Sequence, residues 1–155
     1  MPLALREYRP QDAEHLHGVF HAAVRAIGPA DYSAEQLAAW APEVWARHEW
    51  QLKLDALAPF IVEEAGAVVG YADLQPSGYV DHFFVHPRWQ RQGAGGLLMQ
   101  AIHRKATARS LRRLFADVSH TARPFFERWG FSVLRAQVVG VRGASLENFR
   151  MEKPL

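Results

Sequence analysis

The stretch VHPRWQRQGAGGLL, residues 85–98, joins an apolar strand pattern to an apolar helix pattern through a turn that contains three glycines. The first N–H groups of a helix have no intrahelical partner, and together with the helix dipole they attract anions. Glycines at 93, 95 and 96 allow a close approach of the main chain to such an anion. The turn therefore predicts a phosphate-binding site.

The spacing of these glycines excludes two common phosphate motifs. The loop of nucleoside triphosphatases needs a Lys and a Ser or Thr directly after its last glycine, and neither is present here. The dinucleotide fingerprint needs a small residue where Leu98 stands, although Asp117 follows at about the expected distance. What remains is the pattern [QR]-x-x-G-x-[GA] from Gln90 to Gly95, directly after the strand end Val85-His86-Pro87.

The remainder of the chain predicts alternating strands and helices. The first half contains a strand in LALREY, a helix from Asp12 to Ile27, a short helix from a capping box at Ser33 to Trp40, and a helical stretch from Pro42 to Leu57. The second half contains strands in FIVEEAG and AVVGYADL with a turn at Ala65-Gly66, a strand through YVDHFFVH, a helix from Gly93 to Arg109, a strand in LRRLFADV, a short helix in TARPFFERWGF and a closing hairpin.

This order predicts an α/β (α+β) fold with a mixed sheet of about seven strands and helices on both faces, as one domain over residues 1–155. The formal net charge of +2 indicates no field for nucleic acid, although residues 103–113 are locally basic. Without cysteines there are no disulfides, thiolate metal ligands or cysteine nucleophile. No apolar run is long enough to span a membrane, and we expect a cytoplasmic protein.

The loop pattern, the order of elements and the segment SHTARPFFERWGF, residues 119–131, together resemble the GNAT superfamily of acetyl-CoA-dependent N-acetyltransferases. The segment is similar to the second signature of that superfamily, N-x-x-A-x-x-F-Y-E-x-x-G-F. The resemblance covers nearly the whole chain and extends to a bacterial subgroup of largely unassigned substrate. It implies the GNAT fold and transfer of an acetyl group from acetyl-CoA to a primary amine of a small molecule, by direct attack through a tetrahedral intermediate. A protein or peptide N-terminus or a lysine is the variant acceptor.

The resemblance also implies which residues bind the cofactor. Main-chain groups of one strand segment would pair with the pantetheine arm as an added strand does: Phe83, Phe84 and Val85. The pyrophosphate would lie against the loop and the helix start: Arg91, Gln92, Gly93, Ala94, Gly95 and Gly96. Ser119 stands where the family often has an asparagine that contacts the cofactor, which puts that contact in doubt.

The position of the family's usual leaving-group acid, a tyrosine, is occupied by Phe126, which has no proton to give. A thiolate is a tolerable leaving group, so the acid could be water, or Tyr79 or His120 if either reaches the sulfur. Alternatively, Phe126 simply packs against the cofactor arm.

The general base is equally open from the sequence. The family often places a glutamate where Tyr79 stands, and Asp81 would share its strand face while His82 points the other way. A carboxylate within the apolar YVDHFFV is costly unless it is paired, so Asp81 is either a base or ammonium ligand, or half of a salt bridge.

The acceptor pocket is expected between the first two strands, where His21, Tyr32 and Trp40 occur together with Trp45 and Trp50. These aromatic residues suit an apolar or cationic amine, although they would equally pack two helices onto the sheet. His17 and His21 have a chelating i, i+4 spacing, but no third ligand converges and we predict no metal site.

Three further readings remain open. A cofactor-binding sensor that has lost its chemistry is the main alternative, because of Phe126. A nucleic-acid role for residues 103–113 is weakened by the lack of interleaved aromatic residues. An exposed edge strand after residue 140 could pair with a second copy and form a homodimer.

Overall fold

The computed structural model describes residues 2–155 and contains five α-helices, two short 3-10 helices and eight strands within them. The helices are α1 (Ala13–Arg25), α2 (Ala34–Trp40), α3 (Arg47–Leu57), α4 (Ala94–Ala108) and α5 (Arg123–Arg128). The strands are β1 (Leu3–Glu7), β2 (Phe60–Glu64), β3 (Ala67–Ala72), β4 (Tyr79–Val80), β5 (Phe83–Val85), β6 (Arg113–Ser119), β7 (Ser132–Val141) and β8 (Ala144–Pro154).

The strands form two four-stranded sheets, and the chain passes from one sheet to the other between β4 and β5. The first sheet has the order β1-β2-β3-β5 and is antiparallel throughout. The second has the order β4-β6-β8-β7, with a parallel pair between β4 and β6 and antiparallel pairs elsewhere. The expected turn at Ala65-Gly66 is confirmed: both residues have positive φ, as a tight turn between right-twisted strands requires.

The predicted fourth strand, YVDHFFVH, is not continuous, and this raises the strand count from about seven to eight. The chain leaves β4 after Val80 and enters β5 at Phe83, in the other sheet. Between them, the N–H groups of Asp81 and His82 both donate to the carboxylate of Asp73 instead of to a neighbouring strand. Strand alternation therefore cannot be counted across this break.

Helices cover the sheets on both sides, as the order of elements predicts. Helices α4 and α5 pack on one side through an apolar core that includes Leu98, Ile102 and Phe126. Helices α1, α2 and α3 pack on the other side through Leu16, Leu37, Leu54 and their neighbours. Among residues 2–155 there is no helix with the length and apolar character that a membrane crossing requires.

The helix starts differ in how well the sequence predicts them. Ser33 forms the expected capping box: its hydroxyl accepts the N–H of Gln36 at 3.1 Å, and its own N–H donates to the Gln36 side chain at 2.8 Å. By contrast, α3 begins only at Arg47 and not after Pro42. Ala41 has a non-helical conformation, which is the usual effect of a following proline.

Candidate active site

A cleft opens where the fourth strand divides between the two sheets. Tyr79 and Val80 pair in parallel with Phe115 and Ala116, and the pairing ends there. Beyond that point β5 pairs with β3, whereas β6 continues to Ser119 in the second sheet. The last residues of β6 and all of β5 are therefore unpaired on the sides that face the cleft.

Main-chain groups of β5 point into this cleft. On its other side, β5 bonds to β3 through even-numbered residues: His86 donates to Val69 at 2.8 Å, and His82 accepts from Asp73 at 3.2 Å. Because main-chain groups alternate along a strand, those of Phe84 face β3 while those of Phe83 and Val85 face the cleft. Of the three residues expected to bind pantetheine, Phe83 and Val85 thus have main-chain groups that are not used by the sheet, whereas those of Phe84 hold the strand to β3.

The glycine-rich turn lies at the end of β5 and begins α4. Gly93 is the N-cap, with φ of 94°, and Arg91 also has positive φ, at 62°. No side chain within the described chain caps this helix. Its first main-chain hydrogen bond is donated by the N–H of Leu97 to the carbonyl of Gly93. The N–H groups of residues 94–96 are therefore available to an anion at a helix N-terminus.

The packing of neighbouring side chains also requires a glycine at one of these positions. A Cβ on Gly95 would lie 3.1 Å from the ring of Phe125 in α5 and 3.9 Å from the ring of Phe83. A Cβ on Gly96 would lie 3.9 Å from the ring of Trp129, which is an ordinary contact distance. Gly95 therefore lets α4 approach α5 at the mouth of the cleft, whereas Gly96 has room for a side chain.

Ser119 and Phe126 serve the protein's own structure. The hydroxyl of Ser119 accepts the N–H of Ala122 at 3.1 Å and so fixes the turn into α5. The ring of Phe126 is buried, with centroids 5.6 Å from Phe83 and 5.1 Å from Phe131. Phe126 thus supports the strand that borders the cleft.

Tyr79 belongs to a polar network on the open face of the second sheet. Its hydroxyl donates to Asp117 at 2.9 Å, and Asp117 also accepts from Gln137 at 2.6 Å and from Arg150 at 2.7 Å. Burial alone would raise the pKa of Asp117, but these hydrogen bonds lower it below its usual range. Burial and the bond to Asp117 raise the pKa of Tyr79, so its proton is firmly held.

Asp81 and His82 lie at the break itself and have different partners. Asp81 is a quarter exposed and pairs with Lys53 of α3 at 2.9 Å. His82 is buried, and its Nδ1 lies 3.0 Å from the hydroxyl of Tyr71. That fully buried hydroxyl has no other partner within the described chain, so the hydroxyl and the ring satisfy each other through one hydrogen bond. Burial lowers the pKa of His82 to about 4, so its ring is neutral at pH 7.

The structure brings His120, Tyr32 and Trp40 together beside the end of β6. The hydroxyl of Tyr32 donates to the carbonyl of Glu147 at 2.5 Å and accepts the N–H of His120 at 3.1 Å. The Tyr32 ring lies 5.7 Å from His120 and 5.9 Å from Trp40. The side chain of His120 is partly exposed and pairs with Glu147 at 3.1 Å.

His21 lies apart from that group, on α1. Its Nε2 is 3.3 Å from Glu43 but makes no hydrogen bond of good geometry within the described chain. Its neighbour His17 is buried and stacks on Trp45 with ring centroids 3.6 Å apart. No cluster of three or more metal-ligating side chains occurs among residues 2–155.

Three charged residues of this region have roles that the sequence pattern does not predict. Asp73 holds the strand break, Asp117 holds Tyr79, and Lys53 pairs with Asp81. Asp73 carried a signal, since a carboxylate directly after the apolar run AVVGYA must be buried or end the strand. The pairs of Asp117 and Lys53 join positions far apart in the chain and have no local signature.

Comparison with known proteins agrees with this geometry. The acetyltransferase (GNAT) domain model matches residues 29–153. The chain belongs to the GNAT family of acetyl-CoA-dependent N-acetyltransferases, and the resemblance of its motifs is confirmed.

Individual relatives support the same assignment. The chain is similar to the uncharacterized N-acetyltransferase YafP of Escherichia coli (strain K12), with 34% identity over 149 residues, covering 96% of this chain and 94% of YafP. A GCN5-related N-acetyltransferase structure from Rhodopseudomonas palustris has a TM-score of 0.94 and 31% identity, covering 100% of this chain and 97% of that one. The PaiA N-acetyltransferase of Thermoplasma acidophilum, solved with coenzyme A, shares the fold with a TM-score of 0.78 and 15% identity, and each chain is covered completely.

Proposed function

We propose that this protein transfers the acetyl group of acetyl-CoA to a primary amine of a small molecule, with the cofactor in the cleft between β5 and β6. The observation that carries this proposal is the free main-chain edge of Phe83 and Val85, which leads directly to the uncapped start of α4. An arm that contains amide groups and ends in a pyrophosphate has the chemistry that such an edge and such a helix start bind.

The residues present fit that cofactor. Phe83 and Val85 would pair with its amide groups, and Phe84 would keep their strand in place. The N–H groups of Ala94, Gly95 and Gly96, with Gln92 and the side chain of Arg91, would hold the pyrophosphate, and the positive φ of Gly93 shapes the turn. Ser119 and Phe126 would border the arm from the side of α5.

When bound, acetyl-CoA supplies the activated acyl group, and the protein orients the amine toward it. A main-chain N–H of the Phe83–Val85 strand that faces the cleft, such as that of Phe83, would donate to the acyl oxygen, an oxyanion-hole role that main-chain groups serve well. Asp81 would attract the acceptor ammonium and receive its proton, since its carboxylate is partly exposed beside the cleft. The neutral amine would then attack the acyl carbon directly, the C–S bond would break as the amide bond forms, and the second proton of the amine would pass to solvent.

The leaving thiolate takes its proton from solvent in this proposal. Phe126 has none to give, and the proton of Tyr79 is held by Asp117. His120 is the alternative donor, because its ring is partly exposed beside the end of β6. We assign Tyr79 a positioning role on the acceptor side of the sheet.

The acceptor would lie among the side chains of α1, α2 and the loop between them, where Tyr32 and Trp40 line one end and His21 the other. The ring of Phe84 connects this region to the cleft, since its centroid is 6.3 Å from Trp40 and 5.1 Å from Phe20. Rings of this kind suit the apolar part or the cationic group of a small amine.

The test is calorimetric titration with CoA and acetyl-CoA, followed by release of CoA on a panel of amines. Micromolar binding and turnover on at least one amine are expected. Binding without turnover on any amine would favour the sensor, and absence of binding by a folded protein would overturn the proposal.

We also propose a cytoplasmic location and a single domain over residues 1–155, in agreement with the sequence. The segment after residue 140 is not the edge expected, because β8 lies inside the second sheet and β7 forms its border. A homodimer would therefore use β7, which exposes Leu134 and Val138.

A further inference from the structure

Asp73 is a buried carboxylate without a cation. It directly follows β3, its relative exposure is 1%, and no basic side chain within residues 2–155 pairs with it. Burial raises its pKa to about 6, against the hydrogen bonds that it accepts from the main chain. Because such a group is costly to bury, its presence calls for a compensating role.

Its hydrogen bonds explain the division of the strand. One oxygen, Oδ1, accepts the N–H of Asp81 at 2.8 Å and the N–H of His82 at 2.7 Å. In an extended strand two consecutive N–H groups point to opposite edges of the sheet. Both can reach one atom only if the chain bends there, so Asp73 and an unbroken fourth strand are incompatible.

The bend decides where the pairing with β6 ends. Before it, Tyr79 and Val80 pair with β6, and Tyr79 also accepts the N–H of Gln75 in the segment that follows β3; after it, the strand pairs only with β3. An unbroken strand could continue along β6, and the N–H groups of Phe83 and Val85 would then be used by the protein itself. The bonds of Asp73 keep that edge free.

We propose that Asp73 is a positioning residue that holds the two sheets apart, so that main-chain groups of Phe83 and Val85 can bind the cofactor arm. This inference rests on the proposed function. It concerns how the cleft is kept open and assigns Asp73 no contact with a ligand.

The experiment compares two buried carboxylates. Asp73→Asn keeps the size of the side chain but weakens both bonds to the bend. Asp12→Asn is the matched control, because Asp12 is also buried and accepts the N–H of Arg9 and two bonds from Arg6, on the other side of the molecule. Thermal unfolding and calorimetric titration with CoA are measured for both variants and the wild type.

Both variants should melt earlier than the wild type. Asp73→Asn should also weaken CoA binding about tenfold, as expected when hydrogen bonds to a charged group become bonds to a neutral one, whereas Asp12→Asn should bind CoA within about twofold of the wild type. Equal CoA affinity in the three proteins would overturn the inference. If the wild type itself fails to bind CoA, the proposed function fails first.

A measurement on the wild type keeps the inference testable if Asp73→Asn does not fold. The amides of Asp81 and His82 should exchange with solvent as slowly as the paired amides of β3. Rapid exchange of both amides in the wild type would show that the bend is not held, and would overturn the inference.

Discussion

The cofactor half and the acceptor half of this molecule are built in different ways. Around the cleft, the groups offered to a ligand are main-chain N–H and C=O groups of β5 and of the start of α4. On the acceptor side they are side chains, such as Asp81 and Tyr32, each held by a partner distant in sequence. The cofactor half depends on where the chain bends, whereas the acceptor half depends on which side chains come into contact.

The largest expected effect concerns a side chain of the acceptor half. Asp81→Asn should lower turnover by at least about a hundredfold, the low end for a general base, while CoA affinity changes less than twofold. Release of CoA with an amine found by panel screening gives the rate. Lys53→Met is the control, because it removes the partner of Asp81 but leaves the carboxylate. Unchanged turnover in Asp81→Asn would mean that Asp81 only forms a salt bridge with Lys53 and takes no part in catalysis.

The next effect concerns charge at the start of α4. Gly96→Glu should weaken CoA binding about a hundredfold, because like charges brought together cost several kcal/mol. The helix itself should tolerate the change, since an acidic residue is favourable in a first turn and position 96 has space. Gly96→Ala, measured by the same calorimetric titration, separates charge from bulk. Equal affinities of the two variants would place the pyrophosphate elsewhere.

A smaller effect is expected from single main-chain groups of β5. Val85→Pro removes an N–H that faces the cleft and should weaken CoA binding about tenfold, with the fold retained, as proline is tolerated at a sheet edge. Phe84→Pro removes an N–H that bonds to β3 and should lower the melting temperature more strongly. A reversed order of the two melting temperatures would contradict the strand register described here.

The smallest effect separates packing from chemistry in the acceptor half. Burial and nearby charges lower the pKa of His17 to about 4, so the folded protein resists protonation that the unfolded chain accepts near pH 6.5. Stability from His17 is therefore complete above pH 6.5 and is lost as the pH falls toward 4.

His17→Phe retains an aromatic ring against Trp45 but cannot take a proton. The free energy of unfolding of this variant should fall by about 2 kcal/mol less than that of the wild type between pH 7 and pH 5. Denaturant unfolding at the two pH values provides the comparison. Identical losses in the two proteins would mean that His17 is accessible to protons in the folded state.

The same contrast explains how much could be predicted from sequence. The glycine-rich turn, the capping box at Ser33 and the hairpin at Ala65-Gly66 depend on neighbours in the chain, and each lies where its pattern indicates. The order of strands and helices followed from hydrophobic periodicity, which is also local.

What could not be predicted depends on distant partners. Tyr79 and Asp81 were expected to share a strand face, but the carboxylate of Asp73 bends the chain after Val80. The sequence leaves the hydroxyl of Tyr79 available as an acid, but in the structure this hydroxyl donates to Asp117, 38 positions further along the chain. Strand alternation carries no information about either contact, because it assumes that the strand is unbroken.

Amide hydrogen exchange of the wild type with and without CoA tests most directly whether the divided strand and the start of α4 bind the cofactor. CoA should slow exchange at Phe83, Val85 and residues 94–96, while Phe84, already bonded to β3, should change little. Slowed exchange confined to other parts of the chain would contradict the claim that the divided strand and the start of α4 bind the cofactor.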